Sequence, residues 1–493
     1  MKNRIEPKGW RRAGLAAALV FGLAGCESLM EVNLPSQLSD EALQDPAGAT
    51  TQINTIIAQF EDAWDFQVYR AFGREEGGEV YLCGPMCDVS EYITANPHFV
   101  QMAKSLRFGR ELWGKLDKEW TVAQVPLRSR YLAISSLYQG AVLGWAGTTL
   151  CEVTIDGGKL QAPGAILDQA DVMLTRALTE IAANPGGDFA VPYGIATSAK
   201  QMAYGLRAQV RWFKGDLQAA KADAEQVQQG FVAWNTREAG NRLNKGWTSG
   251  SGGGFQEVYD PVDWWKGPNN PVTNQPWPAV IPFTGYTYLG IAPDGRAISD
   301  GGNPIRTRGN PPPFGATPGS LVGVTTGAVL DTRVKHTTLG VIQGKQAGGE
   351  VASKYDQEGS DEPLVNWKEM VLIRAEAVGG QGAIDLVNTL RDFDKLPRVT
   401  YAAAGNAQQI RYMILEEKRR VLYNEGRFFY TKLRNMDVLW FPRNVGATRA
   451  RQRPWKGGIR YTMPVNEYVA NENLRTSDLA TQCAPNERPI NPL

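Results

Sequence analysis

The sequence predicts a mainly α-helical scaffold of tetratricopeptide-like hairpins, interrupted by one long loop-rich insertion. Three observations predict it. Apolar residues recur at three- and four-residue spacing through most of the chain. Residues 197–230 read as a helix pair joined by a tight cap. Residues 236–352 lose that period and fill with Gly, Pro, Asn and aromatics.

The first element is not part of the fold. Lys2, Arg4, Lys8, Arg11 and Arg12 form a basic start, and Ala13–Gly25 is a short apolar run. A spanning helix needs about 20 apolar residues, so this run fits an export signal instead. It ends in Leu23-Ala24-Gly25-Cys26, the pattern of a bacterial lipoprotein signal cut before a lipidated cysteine. We therefore expect residues 1–25 to be removed, Cys26 to carry the lipid, and residues 26–46 to be a polar tether. More than one acyl chain makes such an anchor stable. A single domain is expected over 47–493.

Ile53, Ile56, Ile57, Phe60, Trp64 and Val68 mark the first long helix, closed by Gly77-Gly78. A loop over 77–98 carries Tyr81, Tyr92, Cys83 and Cys87. Helices follow at about 99–119, 126–147 and 164–184, and Asn184-Pro185-Gly186-Gly187 breaks the chain. In the next pair Met202, Leu206, Val210 and Phe213 form one stripe. Gly215 fits a C-cap, Asp216 the following N-cap, and small alanines allow close approach. After the insertion, helices are expected at about 361–392 and 406–435.

Composition narrows the function. The chain has 493 residues and a formal net charge of +1, which argues against nucleic acid as the main partner. Only two histidines occur, His98 and His336, neither in a triad-like motif. Setting Cys26 aside, Cys83, Cys87, Cys151 and Cys483 allow three disulfide pairings, with Cys83–Cys87 a candidate local loop. No second Cys/His pair stands near it to complete four ligands, so no metal is expected. No cofactor motif is present: Ser249–Gly254 lacks the Gly-Lys-Ser/Thr of a phosphate loop.

The insertion holds Trp264, Trp265, Trp277, Tyr286 and Tyr288. A sugar ring has an apolar C–H face and a polar rim, and indole and phenol rings match both. These five are the leading ligand-binding candidates, with Tyr81 and Tyr92 second. Asp260, Asp263, Asn269 and Asn270 lie among them as hydrogen-bonding groups. The competing reading is that the same aromatics pack the loops onto the helices.

The C-terminal third carries Met370–Ala377, Val387-Asn388, Leu390-Arg391, Glu417–Arg420, Glu425-Gly426-Arg427, Leu433-Arg434, Pro464–Glu467 and Asn471–Leu474, in that order. This series resembles the SusD/RagB family of outer-membrane nutrient-uptake lipoproteins. Cys26, Leu34-Pro35 and Asp45-Pro46 agree with it at the other end. Val421, Lys432 and Glu472 depart from the usual family residues. The resemblance implies a surface lipoprotein of the bacterial outer membrane, facing the cell exterior. Such a protein captures oligosaccharides, or in some branches peptides, and passes them to a SusC-like TonB-dependent β-barrel transporter. It implies no enzyme activity.

Two other functions are weighed. One is an adaptor lipoprotein using tetratricopeptide-like surfaces. The other is a glycoside hydrolase using Asp260/Asp263 or Glu75/Glu76/Glu79 as its carboxylate pair. Finally, Glu417, Arg420, Asn424 and Arg427 fall three or four residues apart and are expected to form an ion-pair ladder along one helix, with Glu376, Arg374 and Arg391 in a similar role.

Overall fold

The computed structural model describes residues 43–74, 97–244, 354–396, 398–399, 402–435, 460–461 and 463–475, together with Arg333 and short strand pieces between 286 and 352. The chain divides into two compact units, Met1–Thr50 and Thr51–Leu493. In the first, Asp45 accepts from the Ala47 N–H at 2.9 Å and caps a short 3₁₀ turn, Pro46–Gly48.

Eleven α-helices lie among the described residues. The first six are α1 (Ala49–Arg74), α2 (Pro97–Lys118), α3 (Arg128–Thr149), α4 (Pro163–Ala183), α5 (Ala199–Lys214) and α6 (Leu217–Ala224). Their bounds match the apolar stripes read from the sequence. The core of this half is α3, buried from Tyr131 to Thr149. A helix buried on every side needs neighbours on every side, and α2, α4 and α5 supply them. α4 comes closest. A Cβ on Gly140 would stand 2.5 Å from the Leu174 side chain, and one on Gly147 2.7 Å from Leu167. Both glycines are seven residues apart, as are both leucines, so the seam repeats every two turns.

The α5–α6 hairpin follows its predicted chemistry. Ser198 accepts from the Gln201 N–H at 2.9 Å to start α5. Gly215 ends it with φ 93° and Asp216 caps α6, while Ala220 and Ala224 are fully buried. α5 continues against the C-terminal half through Gln209, whose Nε2 donates to Glu369 at 2.7 Å.

The second half differs from expectation in two places. The helical stretch expected over 361–392, with a helix pair turning at Gly379–Gly382, opens instead as a strand, β8 (Glu362–Asn366); α7 (Trp367–Val378) and α8 (Gly380–Phe393) then form the pair. β8 pairs antiparallel with β1 (Val232–Asn235), with a bulge at Ala233/Trp234. Pro363 sits in β8, a residue restricted to edges and irregular positions, and the pair has only two strands. The helix expected over 406–435 is also broken, into α9 (Ala407–Val421) and α10 (Phe428–Arg434). Asn424 and Gly426 between them have φ 54° and 71°, which no continuing helix allows. α11 (Val465–Ala470) closes the described chain. Its flanks dock on residues 150–158: Asn471 Nδ2 and Asn473 Nδ2 donate to the Gly158 and Gly157 carbonyls, each at 2.8 Å.

Within the insertion, β2 (Tyr286–Thr287) pairs with β5 (Val329–Leu330), β3 (Gly290–Ile291) with β4 (Ala297–Ile298), and β6 (His336–Thr338) with β7 (Glu350–Ala352), all antiparallel. No helix among the described residues is long and apolar enough to cross a membrane.

Candidate functional site

The β1–β8 pair sets the entry and exit of the insertion at one place. Asn235 lies opposite Glu362, so the chain leaves the scaffold and returns to it across a single ladder. A clamp of polar groups holds this doorway. Thr236 donates through its N–H and Oγ1 to Glu61 Oε1 of α1, at 2.8 and 2.7 Å. Arg237 donates from its backbone to Asp361 at 2.7 Å, and its side chain bonds the Glu61 carbonyl. Arg242 pairs with Glu61. Asn244 bonds the Glu358 and Ser360 carbonyls at 2.8 and 2.7 Å.

Below the doorway, Asp65 and Glu362 are both fully buried, with Arg237 3.7 Å from the first and 4.0 Å from the second. Burial, then the neighbouring Asp65 carboxylate, pushes Glu362 well above the ordinary carboxylate range; Arg237 and the 2.7 Å bond from Asn235 pull the other way without cancelling it. A raised carboxyl beside a carboxylate has the chemistry of an acid/base pair. Here neither group meets solvent, so no substrate reaches them. The cluster is a root for the insertion.

Four further contacts tie the insertion and its exit to α9 and the turn after it. Arg333 Nη1 pairs with Glu417 Oε2 at 2.5 Å. Lys354 Nζ pairs with Glu425 and donates to the Tyr423 carbonyl, and Tyr355 Oη donates to the Asn424 carbonyl.

The ion pairs around α9 correct the ladder expected from spacing. Glu417 does not pair along its own helix with Arg420; it receives Arg391 of α8 at 2.6 and 2.9 Å as well as Arg333. Arg420 turns back to Glu416, Arg427 reaches Glu369 of α7 at 2.9 Å, and Glu376 receives Lys418, Arg434 and the Trp212 indole N–H. All five residues from Glu416 to Arg420 are buried. The Glu416 pairs with Arg419 and Arg420 run along α9 itself, while Glu417, Lys418 and Arg427 join helices to one another, because packed neighbours leave α9 no solvent face for a longer ladder.

Of the ligand candidates, Tyr286 lies in β2. Trp264, Trp265, Trp277, Tyr288, Tyr81 and Tyr92 lie outside the described residues, as do Cys26, Cys83, Cys87 and the carboxylates proposed for a hydrolase. Cys151 is disulfide-bonded, to a cysteine outside the described residues. His98 is buried among the Phe66, Trp145 and Tyr461 rings, with centroids 5.7–6.3 Å away. Among the described residues no cluster of His, Cys, Asp and Glu is arranged to hold a metal.

No protein-family model matches the sequence, and no curated protein does. Solved structures do match its fold. A SusD-like carbohydrate binding protein from Bacteroides vulgatus superposes with a TM-score of 0.53 at 14% identity, covering 87% of this chain and 97% of that one. A SusD superfamily protein from Parabacteroides distasonis gives 0.54 at 11% identity, with coverage of 89% and 99%. A SusD-like protein from Bacteroides fragilis gives 0.52 at 14%, with coverage of 89% and 98%. The chain has the SusD-like fold.

Proposed function

We propose that this chain is a surface substrate-binding lipoprotein. In this reading it is anchored through Cys26 at the outer membrane, captures glycans, and hands them to a SusC-like TonB-dependent β-barrel. It is a binding protein and not an enzyme. The observation that carries the reading is the doorway: a helical scaffold of SusD-like fold grips both ends of an insertion rich in Trp and Tyr. Loops mounted on a rigid frame are where binding residues gather. A neighbour of the same fold is described as carbohydrate binding, and flat amphipathic rings suit sugar faces.

The test is a screen of immobilised glycans and peptides against the protein, repeated with Trp264→Ala and Trp277→Ala. A glycan ligand should be retained, and at least one variant should bind at least about tenfold more weakly, the loss typical of an aromatic hot spot. Retention of peptides alone would transfer the reading to peptide uptake. Retention of nothing, with stable co-purification of an envelope protein that is not a β-barrel, would favour the adaptor instead.

The anchor has its own test. Cys26→Ser should move the protein from the membrane fraction to the soluble fraction of the producing cell. An unchanged distribution would remove Cys26 from the reading.

A further inference from the structure

A second cleft lies away from the insertion in sequence, where α2, α3 and α4 meet. Its volume is about 550 Å³, within the usual range of small-molecule sites. One wall is Trp113 of α2. Its indole N–H donates to Glu180 at 2.6 Å and the Arg176 guanidinium lies 4.1 Å from its ring centre, so the ring is held at both edge and face. Gln139 of α3 also lines the cleft and is 2% exposed. Its Oε1 accepts from Arg176 at 3.4 Å, but its Nε2 has no hydrogen-bond partner. A buried donor left in that state is costly, and an acceptor on a ligand or an ordered water supplies the missing partner. Val172 stands on the same cleft with 60% of its surface exposed, an apolar patch without a protein neighbour to cover it.

The charges on the cleft are unequal. Arg110, Lys118 and Arg176 line it, against one acid, Asp168, which is already paired with Lys214 at 2.6 Å; Arg176 pairs with Glu180 at 3.8 Å. Arg110 pairs with Asp156 outside the lining. Lys118 has no ion-pair partner among the described residues. Burial lowers the Arg176 pKa; Glu180 and Asp117 oppose this, while Arg110 adds to it. Like charges facing across a recess favour an incoming anion.

We propose that this cleft is a second ligand site, taking a sugar ring that carries a carboxylate. The apolar ring face would lie along Trp113 and Val172, the carboxylate would meet Lys118, and a hydroxyl or ring oxygen would accept from Gln139 Nε2. The preference for a carboxylate follows from the lining alone. The choice of a sugar to carry it rests on the capture reading above.

Calorimetric titration with trigalacturonate and with its methyl ester tests this. The acid form should bind saturably and the ester at least about tenfold more weakly, since esterification removes the charges. Lys118→Glu should weaken binding of the acid by about tenfold or more. Val172→Trp should abolish it by filling the cleft. Both positions are exposed, so both variants should melt as the parent does. Lys118→Glu and Val172→Trp should leave retention on the immobilised glycan captured by the insertion unchanged, which separates the two sites. Glycan capture at the insertion can then fail while this site stands, or the reverse. Absence of saturable binding, equal binding of the ester, or indifference to both cleft variants overturns the proposal.

Discussion

Glu417→Gln should lower the stability of the protein by about 3–5 kcal/mol near neutral pH, the usual cost of breaking a buried ion pair from one side. Two guanidiniums converge on this carboxylate, Arg333 at 2.5 Å and Arg391 at 2.6 Å. Burial alone would raise the Glu417 pKa, but the charges of Arg333 and Arg391 and their hydrogen bonds hold it below the ordinary value. The sign follows from that. A carboxylate depressed in the folded state stabilises the fold above its unfolded pKa, and the contribution is lost as pH falls through the folded one. The variant should therefore be less stable at neutral pH and lose less on acidification. Glu362→Gln is the contrasting experiment. Glu362 is raised by burial and by Asp65, so the folded state holds its proton more tightly than the unfolded state does. Its contribution is present at low pH and fades as pH rises from the unfolded value through the folded one. Replacing it with a neutral isostere should cost less than about 1 kcal/mol. Urea unfolding of both variants at several pH values checks the pair. Equal losses at neutral pH would refute the opposite directions of the two shifts.

Trp212→Ala should be at least as damaging, at about 4–5 kcal/mol. Truncating a buried tryptophan costs about 3–5 kcal/mol by itself. Here the ring has a second role. Lys418 Nζ lies 3.9 Å from its centre and the Arg434 guanidinium 5.0 Å, while its N–H donates to Glu376 at 2.7 Å. Glu376 pairs with the same two cations. Desolvated cation–π contacts are worth about 2 kcal/mol. Burial lowers the Lys418 pKa and Glu376 opposes it, so the lysine depends on both the carboxylate and the ring. Trp212→Phe keeps a ring face but not the N–H, and should recover part of the loss. If Phe were no better than Ala in denaturant midpoint, the ring face would contribute nothing beyond its volume.

The helical half was legible because each stripe depends on neighbours three and four residues away. Met202, Leu206 and Val210 are buried where their spacing puts them, and Gly215 and Asp216 carry the caps their residue types favour. β8 was not legible. Glu362–Asn366 becomes a strand through a partner more than a hundred residues earlier, and nothing local announces β1. The only cue was Pro363 before Leu364-Val365, which resists the helix expected there. The charges of α9 misled for a related reason. Helical spacing shows which side chains share a face but not whether that face meets water, and here Arg391 and Glu369 come from other helices. The α2–α4 cleft was invisible in the same way. Arg110, Gln139 and Arg176 each read as ordinary residues of separate helices until packing brings them to one recess.

The doorway between Asn235 and Glu362 has an evolutionary side. Because departure and return share one ladder, the closing entropy of the intervening chain grows only with the logarithm of its length. Residues can be added, deleted or exchanged there with little strain on the helices that hold the ends. A lineage can thus rewrite one interval of its gene while keeping the helices that hold its ends.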